Sequence, residues 1–210
     1  MDENLTEEQQ IELIKKIWKE YGFSAIAGIA IALTVGFGWR FYQNYVTSRA
    51  ERASIIYERV LSDLVTNQIQ DASTQSHLLI QNYSATPYAK LAAFLLAKQS
   101  VLENKLDDAV TQLQWVVKHG SSDTFLQIAR LRLARVYLAQ KKPDEALDIL
   151  KKVNSNAYLG LISEVRGDAY LQLKKVDQAR DAYQTALKQL PDTAINRSLL
   201  QMKLDDLPTS

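Results

Sequence analysis

From Tyr21 to Trp39 the chain runs for 19 residues without a charge, YGFSAIAGIAIALTVGFGW. As a helix rising about 1.5 Å per residue, this run reaches about 29 Å, close to the ~30 Å hydrocarbon core of a bilayer. Signal-peptide apolar regions are shorter, about 7–15 residues, and follow a basic start. Here the preceding residues are acidic on balance, and the WRFYQNY that follows holds no small-x-small cleavage site. The other reading of such a run is a buried core helix. Trp18 and Tyr21 at one end, with Trp39, Phe41, Tyr42 and Tyr45 at the other, favour the span, because aromatic rings collect in the two headgroup regions. The pattern predicts an uncleaved transmembrane helix over residues 21–39. Within it Ser24, Gly28, Ala32 and Gly36 recur every four residues, a row of small side chains that would let another helix approach closely in lipid.

Ahead of the span, Thr6-Glu7-Glu8-Gln9 reads as a capping box, and Ile11, Ile14, Trp18 and Tyr21 recur at helical spacing. Residues 1–20 are expected to form a short amphipathic helix, either lying on lipid or docking a partner. Behind the span, Tyr42, Val46, Ala50, Ala53, Tyr57, Val60 and Leu64 mark one helical stripe, so the membrane helix is expected to run on. NQIQDASTQ at 67–75 reads as a polar break, followed by a second helix to about Asn82. Thr86-Pro87 then reads as an N-cap with proline at the first helical position. Residues 40–86 are thus expected to be connecting helices. No stretch alternates with period two for long enough to suggest a strand.

From residue 87 the pattern repeats. LAAFLLAKQSVLENKLDDAVTQL, IARLRLARVYLAQKKPDEALDIL and LISEVRGDAYLQLKKVDQARDAY each read as an apolar helix, a polar turn and a second helix. Ala109, Ala146 and Ala179 are equivalent, separated by 37 and 33 residues; Ser100, Tyr137 and Tyr170 keep the same separations, as do Ala97, Ala134 and Gly167. This resembles the tetratricopeptide repeat, whose period is about 34 residues. The third copy is the most faithful, with Gly167, Tyr170, Ala179, Tyr183, Ala186 and Pro191 on the repeat positions. The first copy lacks the tyrosine, and the second is longer near HGSSD. The fold class expected is all-α: one N-terminal transmembrane helix, then an α-solenoid of tetratricopeptide-like hairpins over residues 87–192. Residues 193–210 would cap it, with Ile195, Leu199 and Met202 facing inward and Asn196, Lys203 and Asp206 facing solvent.

Charge and chemistry narrow the function by exclusion. The chain has 25 Lys and Arg against 24 Asp and Glu, with no dense basic patch of the kind a nucleic-acid surface needs. Near the ends of the span Lys15, Lys16 and Lys19 balance Arg40, Arg49, Arg52 and Arg59, so charge sets no orientation. Cysteine is absent, which excludes disulfides and thiolate metal sites. The two histidines, His77 and His119, are far apart, and no catalytic motif occurs. No enzyme, cofactor, metal, nucleic acid or small-molecule substrate is expected. Binding remains. The resemblance to the repeat class implies a concave groove lined by the first helix of each hairpin, which here would carry Phe94, Lys98, Val101, Leu131, Arg135, Leu138, Glu164, Asp168 and Leu171. The plainer alternative makes Leu131 and Leu138 inter-repeat core and the charges merely solvated.

The order of parts, with GWRFYQ at 38–43, LRLARVYLAQKK at 131–142, VRGDAY at 165–170 and Met202-Lys203 near the end, is similar to the YfgM-type ancillary subunits of the bacterial SecYEG translocon. That resemblance implies a single-pass inner-membrane protein with a cytosolic N-terminus and a periplasmic repeat domain. It implies association with the translocon and with the membrane-anchored chaperone PpiD, besides membrane lipid. The function expected is a non-enzymatic adaptor that helps pass emerging chains to periplasmic chaperones. A regulator whose N-terminal tail binds a response regulator, and a scaffold for other envelope complexes, stay open beside it.

Overall fold

The computed structural model describes residues 7–208 apart from 121, 154, 155 and 192. Thr6 of the capping box therefore lies outside the described residues. The helices are α1 (Glu7–Val65), α2 (Ile69–Asn82), α3 (Pro87–Leu102), α4 (Leu106–His119), α5 (Asp123–Ala139), α6 (Pro143–Leu150), α7 (Leu159–Gln172), α8 (Val176–Gln189) and α9 (Arg197–Asp205), with a 3-10 turn at Asn156–Tyr158. No strand occurs among the described residues. The chain divides into two units, Met1–Arg49 and Ala50–Ser210.

The first unit holds α1 up to Arg49. Phe23, Ile26, Ile29, Ile31, Leu33, Val35 and Phe37 all stand exposed, and α1 contains the one helical window among the described residues that is long and apolar enough to cross a membrane. A core helix would bury these side chains, so the core reading does not describe this run. Trp39 and Tyr42 pack their rings 6.4 Å apart, and Arg49 lies 5.6 Å over the Tyr45 ring.

The second unit begins with the end of α1. Ala53 and Val60 are fully buried there, together with Ala72 and Leu79 of α2 and Ala92 of α3; Tyr57 and Leu64 pack against the same cluster. Tyr42 and Val46 of the predicted stripe remain exposed. The turn after α1 is a Schellman motif: Gln68 N–H donates to Asp63 C=O at 2.7 Å and Asn67 N–H to Leu64 C=O at 3.2 Å, with Asn67 left-handed at φ 60°. This corrects the polar break. It ends at Gln68 rather than 75, because the residues from Ile69 on already form α2 with Ala72 and Ser76 inside.

The same turn recurs three times. Lys105 N–H donates to Ser100 C=O, Lys142 to Tyr137 and Lys175 to Tyr170, around left-handed Asn104, Lys141 and Lys174. Ala72, Ala109, Ala146 and Ala179 each follow their left-handed residue by five positions, and each is buried. A methyl group at that place lets the second helix of a hairpin lie close against the first. The unit therefore contains four hairpins of one geometry, α1/α2, α3/α4, α5/α6 and α7/α8. Residues 40–86 hold the first of them, in addition to the three read from sequence. Neighbouring hairpins share continuous clusters, one joining α3, α4 and α5 and another α5, α6 and α7. This is how a solenoid buries faces that one hairpin cannot bury alone.

Two local expectations shift. Thr86 does stand at the N-cap of α3 ahead of Pro87, but its hydroxyl donates backward to Tyr83 C=O at 2.8 Å instead of accepting from the helix. The C-terminal helix is turned the other way. Leu200 and Leu207 are buried beside Ala186 and Tyr183, while Ile195, Leu199 and Met202 are exposed. Asn196 and Lys203 point inward, and of the three residues expected in solvent Asp206 is the one that lies there. α9 carries apolar residues on two faces, and the carboxylates beneath it, Glu164 and Asp168, decide which face turns in.

Candidate partner-binding groove

The first helices of successive hairpins border two clefts. One, of about 320 Å³, lies between α3 and α5, where Phe94, Ala97, Lys98 and Val101 face Arg132, Arg135 and Val136. The other, of about 520 Å³, lies between α5 and α7, where Arg135 and Leu138 face Glu164, Asp168 and Leu171, with Lys203 of α9 at its edge. Arg135 and Ala139 border both. Eight of the nine expected groove residues line these clefts. Leu131 does not: it is buried with Ile162 and Val165 in the cluster joining α5 to α7, as the core alternative has it, and Leu138 is buried in the same cluster while it edges the second cleft.

The two clefts differ in charge. The first has a floor of Phe94, Ala97, Val101, Leu113 and Val136 and three cations, Lys98, Arg132 and Arg135, with no acid in its lining. The Arg132 guanidinium sits 4.6 Å over the Phe94 ring. Burial, and then the neighbouring Arg135 charge, pull its pKa below the ordinary arginine value.

In the second cleft both carboxylates are paired from within, and Lys141 adds a further cation to the lining. Lys203 Nζ lies 2.8 and 2.9 Å from the two Asp168 oxygens and 3.5 Å from Glu164. Asn196 donates to Glu164 at 2.7 Å, and Arg135 approaches the same carboxylate at 3.9 Å. Tyr183 Oη donates to Asp168 at 2.7 Å. Burial first, and then that bond to a carboxylate, raise the Tyr183 pKa well above the ordinary phenol value. Gln172 ties the cleft wall by donating to Leu138 C=O at 3.1 Å.

Arg132, Asn196 and Lys203 join the clefts beyond the residues that the repeat pattern places there. Arg132 was recoverable, because it precedes Arg135 by three residues and Val136 by four and so shares their face. Asn196 and Lys203 were hidden by the reversed face of α9.

In the first unit, Ser24, Gly28, Ala32 and Gly36 are all exposed along α1. A methyl group added at Gly28 or Gly36 would meet nothing within 4 Å, so these positions leave an open, smooth strip on the helix.

Comparison with known proteins follows the same lines. A family profile for the tetratricopeptide repeat-like domain matches residues 15–209. The ancillary SecYEG translocon subunit of Escherichia coli K12 is 26% identical over 201 residues, covering 96% of each chain. Proteins of the same name from Aggregatibacter actinomycetemcomitans and Neisseria gonorrhoeae are 28% and 29% identical, and each alignment spans at least 97% of both chains. The resemblance to ancillary translocon subunits therefore extends over nearly the full length. Four hairpins with one turn geometry, buried alanines in register and a profile covering almost every residue agree: the chain belongs to the tetratricopeptide repeat-like domain family.

Proposed function

We propose that this protein is a membrane-tethered, non-enzymatic adaptor at the Sec translocon, which helps pass emerging chains to periplasmic chaperones through its helical-repeat domain. The observation that carries this reading is the near full-length similarity to proteins named ancillary SecYEG translocon subunits, which takes in the apolar helix as well as the repeats. In this reading the N-terminus is cytosolic, residues 21–39 span the inner membrane in contact with lipid, and the repeats lie in the periplasm beside PpiD. Tethering raises the effective concentration of weak partners without any new contact. The span contributes recognition too, with Ser24, Gly28, Ala32 and Gly36 packing against a helix of the partner complex.

Purification from membranes in mild detergent tests this. SecY is expected to co-elute with the native chain. Gly28→Leu with Gly36→Leu keeps membrane insertion but lowers SecY recovery several-fold, since small residues set the closeness of helix packing in lipid. Exchanging Ile29 and Leu33 for other large apolar residues leaves recovery unchanged. Absence of SecY from the native eluate contradicts the adaptor reading. Full recovery with the double leucine variant reduces the span to a tether.

A further inference from the structure

We infer that the cleft between α3 and α5 takes an acidic amphipathic segment of a protein partner, one that lays apolar side chains on Val101 above the buried Phe94 and Val136 and presents carboxylates to Lys98, Arg132 and Arg135. This rests on the adaptor reading and names the chemistry its groove selects. Three observations lead to it.

The apolar lining is closed at Phe94, Leu113 and Val136 but open at Val101, so the cleft rewards apolar side chains that cover that opening. The rim is of one sign. No carboxylate among the described residues pairs with Lys98 or Arg132, and Arg135 has only the distant approach to Glu164. Lastly, Arg132 lies over the Phe94 ring, which leaves its N–H edge for the two-pronged grip that guanidinium gives a carboxylate. A carboxylate there also offsets the like charge that Arg135 imposes on Arg132.

The adjoining cleft shows the contrast. Glu164 and Asp168 already hold Lys203, Asn196 and the Tyr183 hydroxyl, so the carboxylates of that cleft ask for no outside cation. The two clefts thus differ: one has its carboxylates satisfied from within, and the other holds Lys98 and Arg132 with no carboxylate among the described residues paired to them. A lysine-rich segment is repelled from the latter, because like charges brought together at an interface are strongly unfavourable.

The test uses the full chain in phosphatidylcholine nanodiscs. The native chain has no cysteine, so Leu102→Cys at the cleft rim takes a single environment-sensitive dye. Two synthetic helical peptides share one leucine pattern and differ only in carrying Glu or Lys between the leucines. The Glu peptide is expected to shift the dye at a concentration about 10-fold lower than the Lys peptide, with a preference that weakens as salt rises. Lys98→Glu with Arg132→Glu should invert the order.

Equal binding of the two peptides, a Lys preference in the native chain, or a Glu preference that survives the double reversal overturns the inference. So does self-association through α9 that Met202→Lys abolishes while it frees the dye, because a second copy would then be the occupant. SecY recovery from native membranes is measured in parallel. Recovery without peptide selectivity removes the cleft chemistry alone, whereas selectivity without recovery removes the adaptor reading and leaves the cleft.

Discussion

Tyr183→Ala is expected to destabilise the C-terminal end of the solenoid by about 3–5 kcal/mol, the usual range for truncating a buried aromatic ring. Tyr183 is fully buried, and its ring fills the space that Gly167 leaves on α7. A methyl group at Gly167 would stand 2.3 Å from the ring edge, so Gly167→Val should damage the same contact from the other side. Because each repeat is supported mainly by its neighbours, the loss should concentrate in α7, α8 and α9. Hydrogen exchange should show those helices opening while α3 to α6 keep most of their protection. Loss of protection spread evenly along the second unit would contradict a solenoid of locally coupled hairpins.

Tyr183→Phe separates the ring from its hydroxyl. It keeps the packing and removes the bond to Asp168, at a cost of about 1 kcal/mol near neutral pH. The raised pKa adds a pH dependence with a definite sign. Folded Tyr183 holds its proton where an unfolded tyrosine, with a pKa of about 10, has lost it. The folded state then binds more protons than the unfolded one, so stability falls as pH rises past that value. Urea unfolding at neutral and strongly alkaline pH should show part of the native chain's alkaline loss missing in Tyr183→Phe.

The second large effect is at Lys203. Its ammonium closes the pair of carboxylates from α7, Asp168 at 2.8 Å and Glu164 at 3.5 Å. The Glu164 side chain is only 9% exposed and that of Lys203 27%. Removing one partner of a buried pair costs about 3–5 kcal/mol, while exposed pairs are worth about 0–1. Solvent screening at this half-open site places Lys203→Met between them, at about 1–3 kcal/mol. Lys203→Glu should cost more, since it gathers three carboxylates and drives α9 off its seat. Leu200 and Leu207 are then uncovered, which limited proteolysis near residue 196 would report. Lys151→Met is the comparison. The Lys151–Asp148 pair has the same 2.8 Å spacing but lies in solvent, with the lysine side chain 72% exposed, and should show no measurable change.

The hydrophobic pattern alone made the long apolar run and the paired helices legible. The register of Ala109, Ala146 and Ala179 located three hairpins because a buried methyl group recurs wherever two helices touch. The first hairpin lacks the repeat's sequence mark for a physical reason. Val60 and Asp63 stand where later repeats have Ala97 and Ser100, or Gly167 and Tyr170, so the cue of a small residue before an aromatic is absent. Asp71-Ala72, the counterpart of Asp108-Ala109, was the remaining sign of it. The turns carried no glycine to announce them, since Asn67, Asn104, Lys141 and Lys174 take the left-handed position instead. Tyr170 and Tyr183 both stand on repeat positions, but Tyr170 is only partly buried and the fully buried aromatic is Tyr183.

Most of the groove residues could be placed because they follow from helix periodicity once the hairpins are known. What periodicity could not show was the charge balance inside the groove. Lys203 meets Asp168 across 35 residues and Asn196 meets Glu164 across 32, and neither pairing leaves a local trace in the chain. α9 has apolar residues on two faces, so hydrophobicity alone did not select the buried one.

The central claim, that the groove side of a translocon-tethered repeat domain is the working surface, is tested most directly by site-specific photocrosslinking in cells during active export. Photoreactive residues at Lys98 and Leu171 sample the two clefts, and one at Lys188 on α8 samples exposed surface outside them. The account predicts adducts with translocon subunits or chains in transit from positions 98 and 171, and few from 188. Equal adducts from all three positions, or adducts from 188 alone, would contradict it.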